Sequence, residues 1–278
     1  MTSSPNPGFD ANLPQGLETP PAGSLPPLVG KRPPIEDPLW TGWEVLALGL
    51  ATVFLGMLLF PLLVTLVAHR LIYPQAPFTE IVRYPGLIVL SQLLSYFVIL
   101  GFMYFIVRRD RDVDFWQAIR WNWPRNPGVY LLAGAVLSIG LQAFSHLLPI
   151  PKSLPIDQFF RTAREAYLLS AFGVTFAPLL EELFFRGFLY PVLARRLGMG
   201  VAVFLTALGF AGIHGAQLMY SWGPVLIIFM VGLVLTLVRA RTKSVAASLL
   251  IHIAYNGTIS VLMYVGTDRF RHLEKLNQ

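Results

Sequence analysis

Residues 166–193 read AYLLSAFGVTFAPLLEELFFRGFLYPVL. These 28 residues exceed the roughly 20 that a helix needs to cross a hydrocarbon core. Three of them are charged, Glu181, Glu182 and Arg186, and they sit inside the stretch rather than at its ends. An ionisable side chain within a membrane span is costly and generally serves function. The stretch therefore points to a helix made for lipid that carries chemistry inside it.

The rest of the chain agrees with that reading. Of 278 residues, 55% are hydrophobic and only 13% are charged. A soluble domain carries roughly a quarter charged residues, so lipid must cover part of this surface. Hydropathy places seven spans, over 43–68, 87–107, 129–148, 166–193, 201–219, 225–238 and 245–265, with the sixth the shortest. The expected fold class is all-α, a polytopic transmembrane helical bundle. No cysteine is present, which excludes disulfides, thiolate metal sites and a cysteine nucleophile. The net charge of +6 is loop charge at helix ends, where lipid headgroups meet it, and not a nucleic-acid footprint.

Organisation follows from composition. Residues 1–40 hold ten prolines, from Pro5 to Pro38, with no apolar run that reads as a signal peptide, and are expected to be a disordered proline-rich tail. Residues 41–165 carry the first three spans and two aromatic, basic segments, 114–123 and 155–165, expected at headgroup level. Residues 166–265 carry the remaining spans, and 266–278 form a C-terminal tail. With seven spans, twelve Lys and Arg fall on the N-terminal side and eight opposite. That bias puts the N-terminus in the cytoplasm of an integral protein of the cell's inner or plasma membrane.

Polar residues inside the later spans agree in depth. Counting at 1.5 Å per residue, Glu181 lies about 21 Å in from Arg195, and His214 lies about 21 Å in from Gly200. From Lys243, His252 is about 14 Å in and Asn256 about 20 Å. Three helices thus bring an acid, two imidazoles and an amide to one slab of the membrane. Spacing also separates the two acids. Neighbours on a helix point about 100° apart, whereas i and i+4 share a face. Glu182 is therefore expected to pair with Arg186, leaving Glu181 free to act as a general base. His252 and Asn256 share a face, as do Phe210 and His214. Pro178 is expected to kink the fourth span beside the site, while Gly209, Gly212 and Gly215 allow close helix approach around His214.

Three segments carry a family resemblance. Glu181-Glu182-Leu183-Phe184-Phe185-Arg186, Phe210-Ala211-Gly212-Ile213-His214 and His252-Ile253-Ala254-Tyr255-Asn256 resemble the E-E-x-x-x-R, F-x-x-x-H and H-x-x-x-N/D motifs of the CPBP family of intramembrane proteases. That family includes CAAX prenyl endopeptidases and bacterial bacteriocin-processing or immunity proteins. The resemblance runs from the fourth span to the seventh, and residues 1–165 add nothing to it. It implies that Glu181, with His214, activates the attacking water, that His252 and Asn256 stabilise the oxyanion or share in binding the catalytic group, and that Glu182 and Arg186 support them. It also implies a membrane-associated peptide or protein as substrate, with lipid as the other partner and no nucleic acid.

Two routes stay open for the cofactor. Glu181, His214 and His252 resemble the two-His, one-carboxylate set of catalytic zinc sites, so one divalent metal is one expectation. There is no H-E-x-x-H, however, and a ligating Glu181 would need another base. A metal-free, glutamate-activated water is the favoured route. Two other functions fit the same residues. A proton-coupled transporter would use the acid and imidazoles as a relay, although the other spans supply almost no polar lining. A catalytically silent immunity or scaffold protein would keep the fold alone.

Overall fold

The computed structural model describes residue 1 and residues 37–109, 112–151 and 153–274. The proline-rich tail therefore lies, as far as residue 36, outside the described residues. Among the described residues the secondary structure is helical, and six helices are long and apolar enough to cross a membrane. They are α1 (Gly42–Leu71), α2 (Pro85–Arg108), α3 (Pro127–Ser145), α4 (Ala163–Leu197), α6 (Trp222–Thr242) and α7 (Val245–Gly266). Between α4 and α6 lies the shorter α5 (Met199–His214).

Helix starts follow local chemistry. A capping box begins α1: the Glu44 N–H donates to Thr41 Oγ1 at 3.3 Å and the Thr41 N–H donates to the Glu44 carboxylate at 2.7 Å. Each partner satisfies a backbone or side-chain group the other leaves open. Pro85 and Pro127 open α2 and α3, where a missing N–H costs nothing. Ser244 caps α7, accepting from the Ala247 N–H at 3.0 Å.

Three prolines account for three irregularities that place the site. A proline inside a helix cannot donate to the residue four before it, and its ring crowds that carbonyl. Pro178 faces Val174, and α4 breaks at Thr175 between Ala163–Val174 and Phe176–Glu182. Pro191 faces Gly187, and α4 widens into a π-helical stretch over Leu183–Leu189. Pro61 faces Met57, and α1 widens over Phe54–Leu59. Each π stretch has a carbonyl held by a side chain from elsewhere. The Gln92 amide donates to Gly56 O at 2.8 Å, and the Trp40 indole donates to Phe188 O at 2.9 Å while stacking on the Phe188 ring at 4.3 Å. Trp40 is thus buried against α4, and Asp37 pairs with Arg195 at 3.1 Å. Residues 37–40, counted with the tail from composition, are docked structure.

Two expectations about span length change. The fifth span was expected over 201–219, but α5 ends at His214; Gly215 N–H bonds to Gly212 O, and Met219 and Tyr220 take positive φ of 55° and 53°. The Tyr220 ring lies 2.8 Å from where a Gly215 Cβ would stand, so the turn closes only over glycine. The sixth helix, expected to be shortest, runs 21 residues. His214 is consequently the terminal residue of its helix.

The segment 114–123 braces the site from one side. Asp114 caps a short helix, Phe115–Ala118, and Trp116, Trp121 and Trp123 follow in edge-to-face succession. Beyond it, Arg120 O accepts from the Val245 N–H at 3.0 Å and the Asn122 amide donates to Lys243 O at 3.0 Å. Those bonds fix the α6–α7 turn and hence the start of the helix that carries His252. Close approaches do the same deeper in. A Cβ on Gly134 of α3 would stand 2.3 Å from Ile251 O of α7, and one on Gly232 of α6 would stand 3.1 Å from the Ala207 backbone of α5.

Candidate active site

The two acids of α4 part as their 100° separation requires. Glu182 and Arg186 are fully buried, while the Glu181 side chain keeps 18% of its exposure and that of His214 20%. Arg186 Nη1 lies 2.9 Å from Glu182 Oε1, so the i, i+4 pair survives in the wider π stretch. Breaking such a buried pair by removing one partner leaves an uncompensated charge. The same Glu182 oxygen accepts from His252 Nδ1 at 2.9 Å, so α4 and α7 meet at one carboxylate.

Arg186 reaches three further groups. Its Nε donates to Thr236 Oγ1 at 3.2 Å and its Nη2 to Gly232 O at 3.1 Å, both on α6. Its guanidinium lies 4.5 Å over the Phe210 ring of α5. Phe210 in turn orients the other histidine: its carbonyl accepts from His214 Nδ1 at 2.8 Å. The Phe210 ring stands 4.9 Å from the His214 ring and 5.7 Å from that of His252.

Those bonds fix the tautomers by elimination. A carboxylate and a carbonyl can only accept, so each Nδ1 carries its hydrogen and each neutral imidazole presents a bare Nε2. Both Nε2 atoms face Glu181, His214 at 3.9 Å from Oε1 and His252 at 3.7 Å from Oε2. Neither distance is a hydrogen bond. With both rings neutral, two imidazole lone pairs and a carboxylate converge at this point. A water among them can donate its two hydrogens to two of the three, Glu181 included.

The same three atoms are a donor set that a divalent metal accepts, and the Glu182 and Phe210 partners on Nδ1 are of the type that orients metal-binding imidazoles. Among the described residues, however, no group of three His, Asp or Glu side chains is arranged so that it could hold a metal ion.

Asn256 is placed differently from its partners. Its Nδ2 donates at 2.7 Å to Gly173 O, a carbonyl just before the break at Thr175. The α4 break thus supplies an acceptor that fixes the amide, and the second amide N–H remains to donate elsewhere. Of the six residues singled out from sequence, Glu181, Glu182, Arg186, His214 and His252 come together, while Asn256, one turn beyond His252, bonds instead to the broken turn of α4. Thr236, Gly232 and the Phe210 carbonyl escaped sequence reading. Uncharged hydroxyls and backbone carbonyls inside apolar spans leave no pattern; only the small residue Gly232, in a span rich in large ones, hinted at a close approach.

The arrangement defines a membrane-embedded acid and imidazole site, built by α4, α5, α6 and α7, with Glu181 and His214 its part-exposed members. Residues 163–258 match the family model described as Rce1-like, type II CAAX prenyl endopeptidase. The matched segment begins with the first residue of α4 and ends two residues past Asn256, so it contains every residue of this site. Across that segment the chain is similar to a family of membrane proteases. No curated protein and no solved structure matches it.

Proposed function

We propose that the protein is an intramembrane endopeptidase that hydrolyses a peptide bond of a membrane-associated substrate, with Glu181 as the base. The observation that carries this reading is the convergence of the two Nε2 atoms on Glu181, at 3.9 and 3.7 Å. A water held there would direct one hydrogen at Glu181 and the other at one Nε2 atom, with a lone pair outward, toward an incoming carbonyl carbon. As the water oxygen forms its bond to that carbon, Glu181 takes one proton and the carbonyl π electrons move to oxygen. Collapse of the tetrahedral intermediate breaks the C–N bond, and the proton on Glu181 goes to the leaving amine.

The oxyanion requires donors aimed where negative charge develops. The second N–H of Asn256, set by the bond to Gly173 O, is one. His214 and His252 flank the water and hold it, and each can share its proton. Glu182 and Arg186 orient His252 without touching substrate. No step is routed through a metal; an ion bound at the two Nε2 atoms would supply Lewis-acid polarisation of the water instead.

The substrate is a peptide or protein tail delivered from the membrane surface, either a CAAX-type prenylated C-terminus, as the family description suggests, or the leader of a membrane-bound peptide. The N-terminus lies in the cytoplasm, given the Lys and Arg bias. Purified protein in proteoliposomes is offered a farnesylated CAAX peptide and, separately, a leader-type peptide, and cleavage is followed by mass spectrometry. The expected result is cleavage of one of them by the native protein and none by Glu181→Gln, with an unchanged melting temperature. Turnover by Glu181→Gln at the native rate overturns the assignment of the base.

A further inference from the structure

The helix that sequence reading left without a role in the site, α6, supplies the acceptors that aim its buried cation. We propose that Thr236 is a positioning residue: with the Gly232 carbonyl it fixes the Arg186 guanidinium, and through Glu182 it fixes the ring of His252. The inference deepens the peptidase reading and rests on it for its effect on turnover.

The chain of contacts is short and dry. Thr236 Oγ1 donates to Gly232 O at 2.7 Å, which commits the hydroxyl hydrogen and turns its lone pairs toward Arg186 Nε at 3.2 Å. Gly232 O accepts from Thr236 Oγ1 and from Arg186 Nη2 at 3.1 Å, so the hydroxyl and the cation are tied to one carbonyl of α6. Arg186 Nη1 then meets Glu182 Oε1 at 2.9 Å, and the same oxygen meets His252 Nδ1 at 2.9 Å. Thr236, Arg186 and Glu182 have no exposed surface and His252 has 3%, so bulk water cannot replace a lost partner. A guanidinium donates through a rigid planar fork. Holding Nε and Nη2 on α6 therefore sets the direction in which Nη1 presents itself to Glu182.

Gly232 explains why α6 can come this close. A Cβ there would meet Ala207 at 3.1–3.2 Å, and Ala207 lies one turn before Phe210, whose ring lies under the guanidinium and whose carbonyl holds His214. The Gly232 and Thr236 pair, one turn apart, thus binds α6 both to the helix of His214 and to the cation that aims His252.

The test compares Thr236→Val, which keeps shape and loses the acceptor, with Thr236→Ser, which keeps the acceptor. Two readouts are taken on full-length protein: kcat and KM for the cleaved peptide, and the Nδ1 proton resonance of His252 in 15N-histidine-labelled protein, assigned by its loss in His252→Gln. Thr236→Val is expected to lower kcat about tenfold with KM within about twofold, since the lost bond is made to a buried charge and not to substrate. The His252 Nδ1 proton is expected to move upfield as its bond to Glu182 loosens, and Thr236→Ser is expected to restore both. A Thr236→Val protein with native kcat and a native His252 resonance overturns the proposal, as does a Thr236→Ser protein that behaves like Thr236→Val. If Thr236→Val does not fold, Thr236→Ala carries the same comparison. Native protein that cleaves nothing would overturn the peptidase reading alone, because the His252 resonance still reports whether Thr236 aims the ring.

Discussion

Gly134 lies outside the segment that carries the site, yet its substitution by alanine should damage that site more than most changes near it. A Cβ at this position would stand 2.3 Å from Ile251 O, 2.8 Å from Ala254 Cβ and 3.0 Å from Ile251 C. Favourable carbon contacts lie at about 3.5–4.0 Å, so α3 and α7 must separate by roughly 1 Å locally. The atoms in the way are backbone, which cannot swing aside like the end of a side chain. Ile251 immediately precedes His252, whose Nε2 is only 3.7 Å from Glu181 Oε2. Overpacking of this kind costs about 1–3 kcal/mol of stability, and a displacement near 1 Å in a catalytic group costs about a hundredfold in rate. Gly128→Ala and Gly140→Ala are the controls, on the same helix with nothing within 4 Å of the added carbon. Thermal unfolding in detergent and initial rates of peptide cleavage should show Gly134→Ala less stable and about a hundredfold slower, with both controls native. A Gly134→Ala protein with native melting temperature and native rate would refute the close approach of α3 behind His252.

Two further outcomes test the site from other directions. Arg186→Met leaves Glu182 ionised and buried without its cation, so denaturant unfolding should report a loss of about 3–5 kcal/mol; a native midpoint would mean the pair contributes little. Chelation should leave cleavage intact, and metal analysis of purified protein should find far less than one zinc per chain. Activity lost to a chelator and restored by zinc would assign the two Nε2 atoms to an ion instead.

What the sequence reveals here follows from how each feature is written in it. Charges in apolar spans are conspicuous, and helical arithmetic alone separates Glu181 from Glu182 and brings both histidines into one slab of the membrane with Glu181. The partners of those charges are another matter. Thr236 and Gly232 sit in a span that reads as plain hydrophobic filler, and the Phe210 carbonyl that turns His214 has no letter at all. Helix length was misjudged at the fifth span for a related reason. Apolar residues continue past His214, but Gly215 lets the chain fold back beneath Tyr220, and a hydropathy window cannot register one missing Cβ. The prolines are legible only in part. Pro178 was expected to disturb α4, whereas Pro61 and Pro191, by the same loss of an N–H, widen α1 and α4 into π stretches. The stretch before Pro191 contains Arg186 and follows Glu181 and Glu182 directly. Its phase, stabilised by Trp40 on Phe188 O, sets how the acids stand relative to the rest of α4. The aim of the candidate base therefore depends on a proline ten residues after it and a tryptophan from before the first span, two contacts that no local motif contains.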